Sequence, residues 1–490
     1  MSICGLGTAI LHQNELINIM SGGLTHRFSA SKTNALLIKE ISVTIAKDRT
    51  VKFERTGKLQ VDLASRALAT GRPIRIGLIG CGEMGTDIVT QCGQMPGITV
   101  AAIADTRLSS AHKALVIAGR AAGTHGEATS QTAFDGLMEA GKTALTVDAQ
   151  KICASPHVDV VIDATGKPGV GAAIGIAAMQ NGKHLVMMNV EADVTIGAYL
   201  AQEAAKHGVV YTLGAGDEPS SCIELINFVQ SLGYPIIAAG KGKNNPLNIE
   251  ATPDQYEAEA KSRNMNPRML VEFVDGSKTM VEMAAISNAT GLVPDRPGMH
   301  GPACGPHELA EVLCPIEAGG LLSREGVVDY SIGKGVAPGV FVVTKAPHER
   351  IHERMVDLKV GKGPYFRFLR PYHLTSLEVP LSCARAVLYG AADMIPRPRP
   401  TSEVCALAKR DLKVGDALDA IGEYTYRAWI MTVGDAQAAN AVPCGLLEGG
   451  KVTKSIKKGE LITISNVSVD TKSRIYELRQ LQDQMLKAAH

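Results

Sequence analysis

Short, mostly apolar runs alternate with stretches in which apolar positions recur every three to four residues, and this alternation begins abruptly after Pro73. IRIGLIG (74–80) is apolar but for Arg75, which predicts a strand buried on both faces, as parallel sheets require. A helix is predicted from Glu83, a strand at ITVAAIAD (98–105) and a helix at 107–118. The stretch 119–147, rich in Ala, Gly, Thr and Ser, reads as an insertion that interrupts the alternation. The pattern resumes with VDVVIDAT (158–165), a helix over 168–181, HLVMMN (184–189), a helix over 194–207, VVYTLG (209–214) and a helix over 219–231. Strands and helices alternating at these lengths predict an α/β fold with a Rossmann-type doubly wound parallel sheet.

Outside that block the pattern changes. Residues 58–70 carry a helical spacing that leads into the sheet, whereas 1–50 match nothing periodic. After Gly233 the alternation weakens and Gly–Pro punctuation rises, as expected of an α+β domain. IPRPRPTSE (395–403) reads as a stiff, extended linker, 404–467 as short strand-like pieces between polar turns, and 469–490 as an amphipathic helix. The domain plan is an extension of uncertain order (1–60), a nucleotide-binding domain (61–232), a catalytic and dimerisation domain (233–400) and a small mostly-β domain ending in a helix (401–490).

Composition narrows the classes. Fifty basic residues against forty-nine acidic give a net charge of +1, and neither a nucleic-acid binder nor a protein held on anionic membrane usually shows such balance. The ten cysteines form no CxxC pair or zinc-type cluster and read as reduced, buried thiols. No apolar run is long enough for a membrane span, and no signal-peptide pattern opens the chain. The expected location is the cytoplasm.

Gly80-Cys81-Gly82-Glu83-Met84-Gly85 matches GxGxxG between a predicted strand and a predicted helix, the context in which the motif cradles a pyrophosphate. Asp105 ends the second strand, where an acid takes ribose hydroxyls and favours NAD; Arg107 would neutralise a 2′-phosphate and favour NADP. Thr165-Gly166 and Asn189 fall at later strand ends, where open α/β sheets bind ligands.

Three constellations carry candidate chemistry. Asp217 and Glu218 follow a strand and open a helix, so they serve either as a divalent-cation or hydroxyl site or as a helix start. Lys278 and Glu282 stand four apart on a predicted apolar helix, as a solvated ion pair or as a proton-transfer pair. Gly-Lys-Gly occurs at 240–242, 333–335 and 361–363; with Lys241, Lys243, Asn244 and Asn245, the first copy is the densest candidate phosphate site.

Together with NVEAD (189–193), GDEPSS (216–221), AGKGKNNPLN (239–248) and DGSKTMVEM (275–283), these motifs give a chain that from residue 61 onward resembles the 1-deoxy-D-xylulose 5-phosphate reductoisomerase-like family. These are relatives of homoserine dehydrogenase with a C-terminal SAF domain. The resemblance implies a homodimeric, NADP-dependent enzyme of isoprenoid precursor synthesis that makes 2-C-methyl-D-erythritol 4-phosphate from a small phosphorylated sugar. Lys278, Glu282, Asp217, Glu218 and Glu191 are then the catalytic candidates, with a divalent cation such as Mg or Mn. Asp105 departs from what an NADP enzyme prefers, so NAD stays open. A homoserine or sugar-acid dehydrogenase without rearrangement, or a non-catalytic NAD(P)-sensing protein, are the alternatives, and His373 and Glu378 are reserve candidates for the reacting group.

Overall fold

The computed structural model describes residue 53 and residues 55–244, 246–263 and 265–488. Most of the expected extension over 1–60 therefore lies outside the described residues, as does Asn245.

Seven parallel strands form the first sheet: β1 (Ile74–Ile79), β2 (Ile98–Ala104), β3 (His125–Glu127), β4 (Thr143–Thr146), β5 (Val160–Asp163), β6 (His184–Met187) and β7 (Tyr211–Leu213). Their order is β3-β4-β2-β1-β5-β6-β7, and helices cover both faces. The fold is a Rossmann-like α/β sheet, with the strand order reversing between β1 and β5.

The segment 119–147 is not an insertion that breaks the alternation. It holds β3, the helix Gln131–Glu139 and β4, and β4 pairs with β2. The sequence hides these strands for a physical reason. β3 is three polar residues at an edge and β4 only four residues long, so neither offers a long apolar run.

The second sheet has five strands, β8 (Ile236–Gly242), β9 (Val293–Pro294), β10 (Val327–Ser331), β11 (Val340–Lys345) and β12 (Tyr365–Arg370), in the order β12-β11-β8-β10-β9. One face packs on Leu309, Leu313 and Leu322. The other packs on the helix Ser277–Thr290, whose Thr279 to Asn288 are all buried. Its apolar faces are more than one neighbour covers, and β13 (Ser402–Ala408) and β14 (Tyr426–Thr432) and neighbouring helices close around it. It is therefore not an exposed two-fold seam. The chain also returns to the first sheet before residue 400, because Val379, Cys383 and Leu388 of the helix Val379–Tyr389 pack on Ile76, Leu78 and Val186. At the end, the helix Arg474–Ala488 packs against Val190–Lys206.

The nine described cysteines are free and buried. Among the described residues no helix is long and apolar enough to cross a membrane.

One buried acid sets a pH dependence of stability. Asp193, on the helix Val190–Lys206, accepts the Tyr211 hydroxyl at 2.6 Å, while its other oxygen has no hydrogen-bond partner among the described residues. Burial pushes its carboxyl up to about 6. A folded-state pKa above the unfolded one stabilises fully only below the unfolded value and loses that contribution as pH rises through the folded value. Asp193→Asn keeps the acceptor for Tyr211. It should therefore be more stable than wild type at pH 8 by about 2 to 3 kcal/mol in urea unfolding, with the gap closing below about pH 4.

Candidate functional site

The parallel first sheet places the ends of β1, β2, β5, β6 and β7 along one edge, so Gly80, Asp105, Thr165, Asn189 and Asp217 share it. The fingerprint glycines divide their labour sterically. A Cβ on Gly80, at φ +94°, would meet the Ala164 carbonyl at 2.6 Å, and one on Gly85 would collide with the Gly80 carbonyl. Gly82 is different: a Cβ there meets nothing within 4 Å. The loop is closed against the protein at its ends and open in the middle, at the amino end of the helix Glu83–Cys92. This fits a dinucleotide pyrophosphate. Glu83 is exposed and Met84 half-buried in its first turn.

Asp105 takes part in the hydrogen bonding of the glycine loop itself. Its two oxygens take the Cys81 and Arg107 amides, each at 2.8 Å, so the carboxylate braces the glycine loop while the Arg107 residue lies exposed. Asn189 is fully buried and caps the helix Val190–Lys206 through the Ala192 amide. Its side chain is turned into the protein. The Thr165 hydroxyl donates to Asp163 at 2.7 Å, beside the exposed Gly166.

Beyond β7 the two sheets meet in a buried charged cluster. Lys241 Nζ on β8 donates to Glu218 at 2.6 Å and makes a very short contact with Glu282. Lys278 Nζ donates to Glu191 at 3.0 Å. Lys278 and Glu282 are thus not an i,i+4 pair: each reaches a partner on another element, and both are shielded from solvent. Glu282 Oε1 has no hydrogen-bond partner among the described residues.

Lys241 is correspondingly not a phosphate holder. Its ammonium is committed to two glutamates, and its flanking glycines are there for packing. A Cβ on Gly240 would collide with the Asp329 carbonyl, one on Gly242 with the Ala337 backbone, and the Gly242 amide is bonded to Gly339. Residues 240–242 are strand, not an anion loop. Lys243 is buried beside them, with Asn244 exposed.

Asp217 sits at the N-cap position of the helix Glu218–Ser231 but caps nothing with its side chain; it accepts the Thr375 hydroxyl at 3.3 Å. His373, from the turn before the helix Val379–Tyr389, completes the group. Its Nδ1 lies 3.1 Å from the Gly216 carbonyl, which can only accept, so Nδ1 carries a proton. Nε2 then faces Glu218 at 3.4 Å, either as a second N–H or as a lone pair beside a carboxylate. The latter arrangement calls for a cation between them. Ligand atoms of Asp217, Glu218 and His373 lie within 4.8 Å of one another, and this oxygen-and-imidazole donor set fits a divalent cation. The recurrence of polar residues in RPYHLTSLE signals His373 and Thr375 in the sequence, but only weakly. Glu378 is spent on Arg370 at 2.6 Å.

The electrostatics separate fixed charges from titrating ones. Burial works against the Lys241 ammonium, but Glu218 and Glu282 outweigh it and hold it charged; burial likewise opposes Lys278, which Glu191, Glu282 and Asp217 hold charged. Burial opposes ionisation of Glu218 too, yet Lys241 and His373 keep it well below the usual carboxylate range. In contrast, burial and then the Glu218 charge push Asp217 up to about 6 and Glu282 to about 8. Burial and then Lys241 push Lys243 down to about 8. A lysine held charged suits an oxygen that gains negative charge; the acids near neutrality suit proton exchange.

A Rossmann-like sheet with an open glycine cradle, ending beside buried lysines and acids, defines a nicotinamide-dependent oxidoreductase. Comparison supports this class: residues 80–213 match the homoserine dehydrogenase NAD-binding domain model, and residues 216–379 match the model described as oxidoreductase DRL, catalytic domain. The chain is an NAD(P)-dependent oxidoreductase. No curated protein matches it. Among solved structures, a probable dehydrogenase from Thermotoga maritima is 14% identical over 65% of this chain and 90% of its own, with a TM-score of 0.38. Scyllo-inositol dehydrogenase from Lactobacillus casei, with bound NAD(H) and scyllo-inositol, is 15% identical over 61% of this chain and 76% of its own, at 0.34. A DOX-P reductoisomerase in complex with magnesium is 16% identical over 43% and 56%, at 0.30. Such loose overlaps say nothing further about this chain.

Two variants test the cradle. Gly82→Val adds bulk only where the protein leaves space, so it should fold normally yet weaken NADPH binding at least about 100-fold in fluorescence titration. Arg107→Ala should reduce the preference for NADPH over NADH about tenfold or more, the scale of one charged hydrogen bond. Unchanged affinities would remove both residues from the cofactor site.

Proposed function

We propose that the protein is an NADPH-dependent reductoisomerase that converts 1-deoxy-D-xylulose 5-phosphate to 2-C-methyl-D-erythritol 4-phosphate with the help of a divalent cation. The observation that carries this reading is the juxtaposition of Asp217, Glu218 and His373 with two buried ammonium groups next to the cofactor edge. A plain hydride transfer needs fewer carboxylates than that; rearranging a ketose skeleton needs oxygens polarised and protons moved at neighbouring carbons. The catalytic-domain match over 216–379 and the motif resemblance support it.

When bound, NADPH at Gly80–Gly85 supplies a hydride, and a cation at Asp217, Glu218 and His373 supplies a Lewis acid. The chain's own groups do the rest in this reading. Lys278, fixed by Glu191, donates a hydrogen bond to the oxygen that gains charge. Glu282, pushed up to about 8, gives and takes protons. Lys243 and Asn244 stand at the place for the phosphate, and a homodimer would form through surfaces other than the buried helix. The C-terminal strands would be the SAF module.

The match of 80–213 to a homoserine dehydrogenase domain favours a second reading, a dehydrogenase without rearrangement. NADPH oxidation separates the two. Deoxyxylulose phosphate should support turnover that chelation abolishes and Mg or Mn restores. Turnover with homoserine alone, indifferent to chelation, would instead establish the second reading. With the active substrate, Lys278→Ala should lower kcat about a hundredfold to a thousandfold, the usual worth of a donor to a developing oxyanion. Glu282→Gln should remove the limb of the pH–kcat profile near 8.

A further inference from the structure

The helix that carries Lys278 and Glu282 is gripped at both ends by one and the same distant part of the chain. At its amino end Lys409 pairs with Asp275 at 2.6 Å, both side chains sealed from solvent. The same ammonium donates to the carbonyls of Ala251 at 2.9 Å and Glu423 at 2.7 Å. Asp275 in turn accepts the Ser277 amide at 2.8 Å, and Ala428 of β14 donates to the Ser277 hydroxyl at 2.9 Å. At the carboxyl end Asn288 accepts the amides of Thr401 and Ser402 at 2.8 and 2.9 Å, and the Ser287 and Ser402 hydroxyls bond at 2.6 Å.

The same segment also holds the helix that supplies Glu191, the partner of Lys278. Arg479 pairs with Glu403 at 2.5 Å and donates to the Thr195 carbonyl at 3.2 Å. Gln482 accepts the Tyr199 amide at 3.0 Å and donates to the same Thr195 carbonyl at 3.2 Å. Thr195 and Tyr199 lie one and two turns beyond Glu191.

We propose that residues 401–488 act as a splint that fixes the helix Ser277–Thr290 against the helix Val190–Lys206, with Lys409 as its positioning residue. The inference rests on the reading of Lys278 as a reacting-site group. The physical need is plain. Lys278 is a flexible side chain within electrostatic reach of Glu191, Glu282, Asp217 and Glu272. A modest rotation or slide of its helix would exchange one carboxylate partner for another. Anchors at both ends of that helix, and on the helix bearing Glu191, leave one partner in place. Burying an ammonium at Lys409 is costly, and apolar residues could seal such a junction more cheaply. A charged anchor with an ion pair and two directed hydrogen bonds is better suited to setting a position than to adding stability.

The test uses the full chain with Lys409→Met, Lys409→Arg, Ser402→Ala and, as reference, Lys278→Ala, read by NADPH oxidation, NADPH titration and amide hydrogen exchange. Lys409→Met should lower kcat about 30-fold, the scale of a misplacement of about 1 Å, with KM and NADPH affinity within about twofold of wild type. Lys409→Arg should recover most of that loss, and amides of 277–290 should exchange faster in the Met variant while those of β1 and β2 do not. Wild-type kcat in folded Lys409→Met, or a parallel loss of kcat and NADPH affinity that Arg fails to rescue, would overturn the splint. Should Lys409→Met fail to fold, Ser402→Ala decides: a kcat about fivefold lower supports the proposal, an unchanged one overturns it. A fully active Lys278→Ala would sink the site reading instead. Hydrogen exchange then judges the splint alone, and unaltered exchange across 277–290 would end it.

Discussion

The structure turns on the burial of two ammonium groups and at least four carboxylates where its two sheets meet. Each ion taken from water costs several kcal/mol unless partners are held in good geometry, and removing one partner of a buried pair typically costs about 3 to 5 kcal/mol. The elements that bring Lys241, Glu218, Glu282, Lys278 and Glu191 together therefore tolerate little slack. β8 can lie close enough to its neighbours only because Gly240 and Gly242 have no Cβ. The helix Ser277–Thr290 is bounded by glycines at positive φ and wrapped by the second sheet, the C-terminal strands and neighbouring helices. Charge at the centre and tight packing around it are one constraint seen from two sides.

That constraint explains what could be read from the chain. The parallel sheet was legible because its central strands are apolar on both faces and its fingerprint lies at a strand-to-helix turn. β3 and β4 were not, since an edge strand of three residues and an inner strand of four are too short to leave a periodic trace. The residues of the site were legible as types, while their pairing was not. Spacing within one helix suggests that Lys278 meets Glu282, yet the true partners come from β8 and from a helix some ninety residues earlier. Gly-Lys-Gly misled in the same way: glycine can expose an amide to an anion or admit a neighbouring strand, and only the fold distinguishes the two.

Asp105 and Asn189 carry the same lesson at the cofactor edge. Each is the right residue type at the right strand end, but each is used internally, one to brace the glycine loop and the other to cap a helix. Each oxygen of Asp105 takes one amide, and the exposed Arg107 stands two residues on at the same strand end.

The arrangement of protons has its own logic. Two lysines surrounded by acids cannot readily give up protons, so their charge is a fixed feature of the site. Fixed cations lower the cost of a nearby negative charge, whether it arises on a carboxylate or on a reacting oxygen. Glu218, beside Lys241 and His373, takes that benefit and stays ionised; its charge in turn helps push Asp217 and Glu282 up toward neutrality. The permanent pair thus creates the titrating ones. A group that must exchange protons near pH 7 cannot itself be the best-stabilised ion in the cluster, and the site divides those two duties between different side chains.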